Sequence, residues 1–181
     1  GGFQHAGRDY AGGFCYINDI AVAISEIVRQ GKKVAYVDID AHHGDGVQDA
    51  FYETDRVLSI SLHESGETLF PGTGFEGEIG SKEGAGYNVN IPLRAGTDDE
   101  VYCTAFDALV PPLLKNFKPD IVVANIGCDT HRDDPLAHLN LIQSWHRVMR
   151  FLGVRSMGVL QRSGILAFCA TAVFAVVAAA A

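Results

Sequence analysis

The stretch VAYVDIDAHHGDGVQDAF, residues 34–51, most constrains what this chain can fold into. Its first half reads as a buried strand, yet that strand ends in Asp38, Asp40, His42, His43 and Asp45. Side chains alternate along a strand, so Asp38, Asp40 and His42 share one side and Val37, Ile39 and Ala41 take the other. Unpaired polar groups so close to a core are costly. A divalent cation removes that cost, because carboxylate oxygen and imidazole nitrogen two positions apart can reach the same ion. Solvated side chains or ordinary ion pairs would explain any one of these residues alone, but not all five followed by a Gly-Asp-Gly turn.

A hydrolytic metal site has three protein ligands and an open position for water. The third ligand is expected at another strand end, and Asp129 in NIGCDTHRDD follows the apolar run Ile121 to Ile126. One imidazole with two carboxylates suits zinc or ferrous iron, and spacing alone does not separate them.

The rest of the chain supplies the frame. Apolar residues Ile20, Ala23, Ile24, Ile27 and Val28 recur at helical spacing after a cap at Asn18 or Asp19, with Gly31 as the stop. Short Val/Ile-rich runs, Lys33 to Ala41, Val57 to Leu62, Tyr87 to Pro92 and Ile121 to Ile126, read as strands buried on both faces. Thr97 and the acidic Asp98, Asp99 and Glu100 open another helix, which Pro111 and Pro112 are expected to kink or end. Strands alternating with helices indicate an α/β domain with a largely parallel sheet. Its ligand site belongs at the carboxyl ends of the strands, where the glycine-rich loop from His63 to Gly86 is also expected.

Composition narrows the function classes. A formal net charge of -8 argues against a nucleic-acid surface. Cys15, Cys103, Cys128 and Cys169 form no C-x-x-C pair, so a disulfide framework and a thiolate zinc site are both unexpected, and a reducing, cytoplasmic setting is the default. Five glycines in the first thirteen residues look like an internal loop, so the chain reads as starting inside a domain. Residues 165–181, ILAFCATAVFAVVAAAA, carry no charge but fall short of a comfortable membrane span. A displaced reading frame or an artificial end is the preferred expectation for them, with a membrane helix second.

GGFQHA (1–6), GGFCYINDIAVAI (12–24), YVDIDAHHGDGVQDAFY (36–52), SISLHES (59–65), LFPGTG (69–74), YNVNIPL (87–93) and GCDTHRDDPLAHLNL (127–141) together resemble the metal-dependent histone deacetylase family, including its bacterial acetoin-utilisation branch. The resemblance implies a partial arginase-deacetylase fold, a parallel sheet flanked by helices, over residues 1–152, with 153–181 outside the family pattern. It implies Asp40, His42 and Asp129 as ligands of zinc or ferrous iron, His5 as general base and acid, Asp45 as the carboxylate orienting it, and Asp38 as a further carboxylate of the catalytic set. Gly13, Phe14 and Phe70 resemble the walls of a tunnel for an acetylated lysine stem. Structural potassium is implied at two places: Asp38, Asp40, His42, Ser61 and Leu62, and more peripherally Phe51, Thr54, Val57 and Tyr87. The implied reaction is hydrolysis of the amide of an acetylated lysine, in a protein, or of a small acetylated amine.

Three departures bear on activity. Gln4 stands where the family has a histidine, which removes the partner expected for Asp38. No Gly-Gly-Tyr segment follows Leu141, and losing one oxyanion donor costs about two to three orders of magnitude in rate. The family's opening strands have no counterpart here. A catalytically impaired homologue that binds acetyl-lysine or a partner is therefore an alternative reading. A ureohydrolase is a lesser one, since a two-metal site needs a second carboxylate that Asp133 and Asp134 come too late to supply.

Overall fold

The computed structural model describes residues 3–143, 147–148, 151 and 172–174. The uncharged stretch 165–181 lies outside these apart from residues 172–174, so the expectations placed on it are not addressed. No helix among the described residues is long and apolar enough to cross a membrane.

Four parallel strands carry the fold: β1 (Val34–Asp38), β2 (Val57–Glu64), β3 (Asn88–Leu93) and β4 (Ile121–Ile126). A short β5 (Ala172–Phe174) pairs antiparallel with β4, giving the order β3-β2-β1-β4-β5. Helices α1 (Asp19–Arg29), α2 (Asp45–Phe51) and α3 (Asp99–Phe117) complete the framework. Alternation along β1 divides the core. Ala35 and Val37 face a cluster that includes Tyr102, Phe106 and Val110 of α3. Val34 and Tyr36 face Ile20 and Ile24 of α1 and Val47 of α2. Burying side chains such as Ile20 and Ile24, at 1% and 0% exposure, stabilises the fold by about 1.5–3 kcal/mol each.

The sheet's topology creates a crevice. The chain steps outward from β1 to β2 to β3, then returns through α3 to place β4 on the other side of β1. β1 thus has β2 on one side and β4, reached only after β3, on the other, and the carboxyl ends of the strands at such a switch in order are where α/β sheets bind ligands.

Local structure departs from the sequence expectation in three places. β1 ends at Asp38 rather than Ala41, because Asp38 Oδ1 accepts from Asp40 N (3.0 Å) and Asp40 Oδ1 accepts from His42 N (2.8 Å). These side-chain bonds turn the backbone where ladder bonds would have extended it. The segment 45–51, expected only to begin as a turn, forms α2. Helix α3 runs through Pro111 and Pro112 to Phe117, since Tyr102, Phe106, Val110 and Phe117 keep it on the sheet. The carbonyls those prolines leave without a donor belong to Asp107 and Ala108, both exposed to water.

Candidate metal centre

Asp40 and His42 follow β1, and Asp129 follows β4, so the switch point between these strands brings the trio together. One ligand atom from each lies within 4.8 Å of the others. His42 Nδ1 stands 3.1 Å from Asp40 Oδ1 and 2.9 Å from Asp129 Oδ2. Asp129 Oδ1 is fixed separately by accepting from Ala41 N at 2.9 Å. A Cβ on Gly127 would collide with oxygens of both Asp40 and Asp129, so only glycine lets the carboxylates approach this closely.

This donor set fits a divalent cation. Asp40 and Asp129 are 1% and 4% exposed, and ionised carboxylates can only accept. Burial and then the charge of Asp40 push Asp129 upward. For Asp40, burial opposes ionisation, but lowering contacts led by the hydrogen bond from His42 outweigh it and hold the carboxyl below its ordinary value. Burial likewise works against a charged His42, yet its bonds to Asp129 and Asp40 push it to about 10. Without another cation the imidazole itself must neutralise the pair. One metal ion satisfies all three electron-pair donors at once, with a set suited to zinc or ferrous iron.

His5 stands at the rim. Its Nδ1 and Asp45 Oδ1 are 2.7 Å apart, and because a carboxylate only accepts, Nδ1 carries the hydrogen. In the neutral ring, that leaves Nε2 with the lone pair. The ring is held by Phe70, edge-on at 5.1 Å between centroids, and by Gly13, where a Cβ would overlap the imidazole. Phe70 also meets His42 at 6.4 Å. Phe14 projects into solvent at 96% exposure, next to Gly13 but without a ring contact to either histidine.

Gln4 is 2% exposed, and its Oε1 has no hydrogen-bond partner among the described residues. The Asp38 carboxylate is instead occupied by Tyr36 Oη (2.6 Å), Asp40 N and Asn125 Nδ2 (3.0 Å). Burial and the charge of Asp40 raise Asp38 well above the usual carboxylate range. Ser61 lies at the same register level on β2 as Asp38 on β1, with Leu62 beside it. Phe51, Thr54, Val57 and Tyr87 gather at the opposite end of β2. There Thr54 N donates to Phe51 O, and Ser59 N donates to Tyr87 O.

Behind the trio lies a buried network that sequence reasoning missed. Gln48 Oε1 accepts from His43 Nε2 (3.0 Å), Asn88 Nδ2 (2.7 Å) and Asn90 Nδ2 (2.8 Å), while Gln48 Nε2 donates to Glu78 Oε2 (2.6 Å). His43 Nδ1 takes the Thr73 hydroxyl at 2.8 Å, and His63 joins Ser61 Oγ to the Gly74 carbonyl. These contacts fasten the loop carrying Phe70 to the sheet. The available signal was a second histidine in HHGDGVQ and another inside the apolar run SISLHES.

A family model described as the histone deacetylase domain matches residues 1–157. "Histone deacetylase B" from Dictyostelium discoideum is 47% identical over 146 residues, covering 81% of this chain and 35% of its own length. Among solved structures, a histone deacetylase homologue from Aquifex aeolicus superposes with a TM-score of 0.78 at 41% identity, covering 83% of this chain and 42% of that one. An acetylpolyamine aminohydrolase from Burkholderia pseudomallei gives a TM-score of 0.79 at 36% identity, with 83% and 44% covered. The chain thus spans about a third of the curated relative and under half of the solved ones.

Proposed function

The chain belongs to the histone deacetylase domain family, with that family's arginase-deacetylase fold in part, and from this premise we propose that it forms the metal-binding half of a deacetylase acting on acetylated lysine or a small acetylated amine. The observation carrying this reading is the convergence of Asp40, His42 and Asp129 beside a histidine whose second nitrogen has no hydrogen-bond partner among the described residues. Residues 1–152 are the part we assign to the deacetylase domain, and 153–181 lie outside that assignment. The setting we propose is intracellular, with no nucleic-acid contact and no membrane contact.

Asp40, His42 and Asp129 would hold zinc or ferrous iron, which when bound supplies Lewis acidity toward the acetyl carbonyl. His5 Nε2 accepts a proton from water as the water oxygen bonds to the acetyl carbon. Asp45 keeps the ring in the tautomer this requires and stabilises the imidazolium. As the carbon–nitrogen bond breaks, the same Nε2 returns a proton to the departing amine, leaving acetate. Gln4 cannot carry a proton, so both transfers fall to His5. Phe70, with Gly13 and Phe14 on the facing loop, is proposed to flank the aliphatic stem of the substrate. Potassium is proposed at Asp38, Asp40, His42, Ser61 and Leu62, and at Phe51, Thr54, Val57 and Tyr87. Its support at the first site is the shared register level of Asp38 and Ser61.

The test uses the full-length protein that contains this chain. Acetate release from an acetyl-lysine peptide and from an acetylated polyamine is expected to disappear on chelation and to return with zinc or ferrous iron. His5→Ala is expected to lower turnover by about two to four orders of magnitude. Turnover that survives complete metal removal would defeat the proposal. Tight acetyl-lysine binding with no acetate released would favour the binding-module reading that Gln4 motivates. Two bound catalytic ions per chain would instead revive the ureohydrolase reading.

A further inference from the structure

Asn18 takes no part in the chemistry above, yet its side chain touches the segment carrying His5 on both sides. Its Oδ1 accepts from Ala21 N at 2.9 Å and so caps α1. Its Nδ2 donates to the carbonyls of Gln4 at 3.2 Å and Ala6 at 3.1 Å, the residues immediately before and after His5. At 8% exposure, water competes little for these bonds.

A second element closes on the same two carbonyls. Gly46, in the first turn of α2, lies so near that a Cβ there would be 2.6 Å from Gln4 O, 2.5 Å from Ala6 O and 2.9 Å from Asn18 Nδ2. The preceding residue on α2 is Asp45, whose Oδ1 meets His5 Nδ1 at 2.7 Å. Residues 4–6 are therefore clamped between the cap of α1 and the turn of α2 that presents the histidine's partner. The length of that His5–Asp45 bond depends on how closely the segment approaches α2.

We infer that Asn18 is a positioning residue for His5, fixing the backbone on both sides of it so that the imidazole meets Asp45 in register. The inference rests on the reading of His5 as the proton-transfer group. An imidazole that strays by about an ångström from its working position loses much of its rate advantage. A cap alone would stabilise α1 and leave turnover untouched, so the two roles separate by experiment.

Asn18→Asp and Asn18→Ser both keep an oxygen able to cap α1. Both lose the amide donor that spans Gln4 and Ala6. In the full-length protein, kcat is expected to fall about tenfold or more in both variants, with KM within about twofold of the unchanged enzyme. The downfield proton resonance of His5 Nδ1, identified by its loss in His5→Gln, is expected to shift or broaden in both. Should Asn18→Asp fail to fold, with a carboxylate facing two carbonyls, Asn18→Ser carries the test. Unaltered kcat together with an unaltered resonance in Asn18→Ser would overturn the inference. If the unsubstituted protein releases no acetate, the deacetylase reading fails separately, and the resonance still decides the role of Asn18.

Discussion

His42 and His43 are sequence neighbours at one strand end, yet they belong to two regions with opposite electrostatics. His42 sits between two buried carboxylates and is pushed to about 10 despite burial. Burial lowers His43, and His63, whose ring centroid is 4.8 Å away, falls to about 4 through burial and the proximity of His43. In the second region every imidazole nitrogen has a neutral partner, so neither ring needs a charge. The first gathers groups that repel one another, and the second pairs each donor with an acceptor. A site proposed to grip a cation is left electrostatically incomplete by the protein, while the scaffold behind it is complete without one.

Substitution in each region should have opposite consequences. Asp40→Asn removes a proposed metal ligand together with a repelling charge. Metal content is expected to collapse and turnover to fall by about three orders of magnitude or more. The metal-free protein should keep its stability within about 1 kcal/mol, because Asn retains an acceptor for His42 N. Gln48→Leu should do the reverse. It strands donors on His43, Asn88 and Asn90, each costing about 1–3 kcal/mol when buried, while leaving the proposed metal ligands in place. Metal analysis beside urea unfolding of both variants checks the pair. If Gln48→Leu emptied the metal site without loss of stability, the division between the regions would be wrong.

How much of this was legible in the sequence follows from which contacts are local. Asp40 and His42 were readable because alternation along one strand puts them together, and Asp129 because a strand end was already waiting for a partner. Gln48 was not readable: its partners Glu78, Asn88 and Asn90 lie 30, 40 and 42 residues away, and no short spacing encodes that convergence. Asn18 was legible as a cap but not as a clamp, since its other bonds reach back 12 and 14 residues. Pro111 and Pro112 misled because local propensity was weighed without the apolar face that holds α3 against the sheet.

Acid should sharpen the contrast more gently. An unfolded histidine takes up its proton near 6.5, whereas folded His63 does so only near 4. Between those values the unfolded chain binds more protons, so stability is complete above about pH 6.5 and declines as pH falls toward 4. The loss attributable to this group is up to about 3 kcal/mol. Unfolding free energies at pH 7 and pH 4.5 should therefore diverge less in His63→Asn than in the unsubstituted protein. An identical pH dependence in both would remove His63 from the account.

Gln4→His sets the boundary between the regions and should have the smallest effect. Position 4 is buried beside His5, and its side-chain oxygen makes no hydrogen bond among the described residues, so that oxygen contributes little where it stands. A histidine there would add a second proton carrier beside the one proposed at His5. The carboxylate that would orient it, Asp38, already accepts from Tyr36, Asp40 and Asn125, and one of those bonds must give way first. The new imidazole would also lose hydration on burial, which favours its neutral form. These opposing terms leave a gain in kcat of severalfold, about tenfold at most, with an added inflection in the pH–rate profile. Turnover and a profile both indistinguishable from the glutamine protein would show that one histidine suffices and that position 4 only fills space.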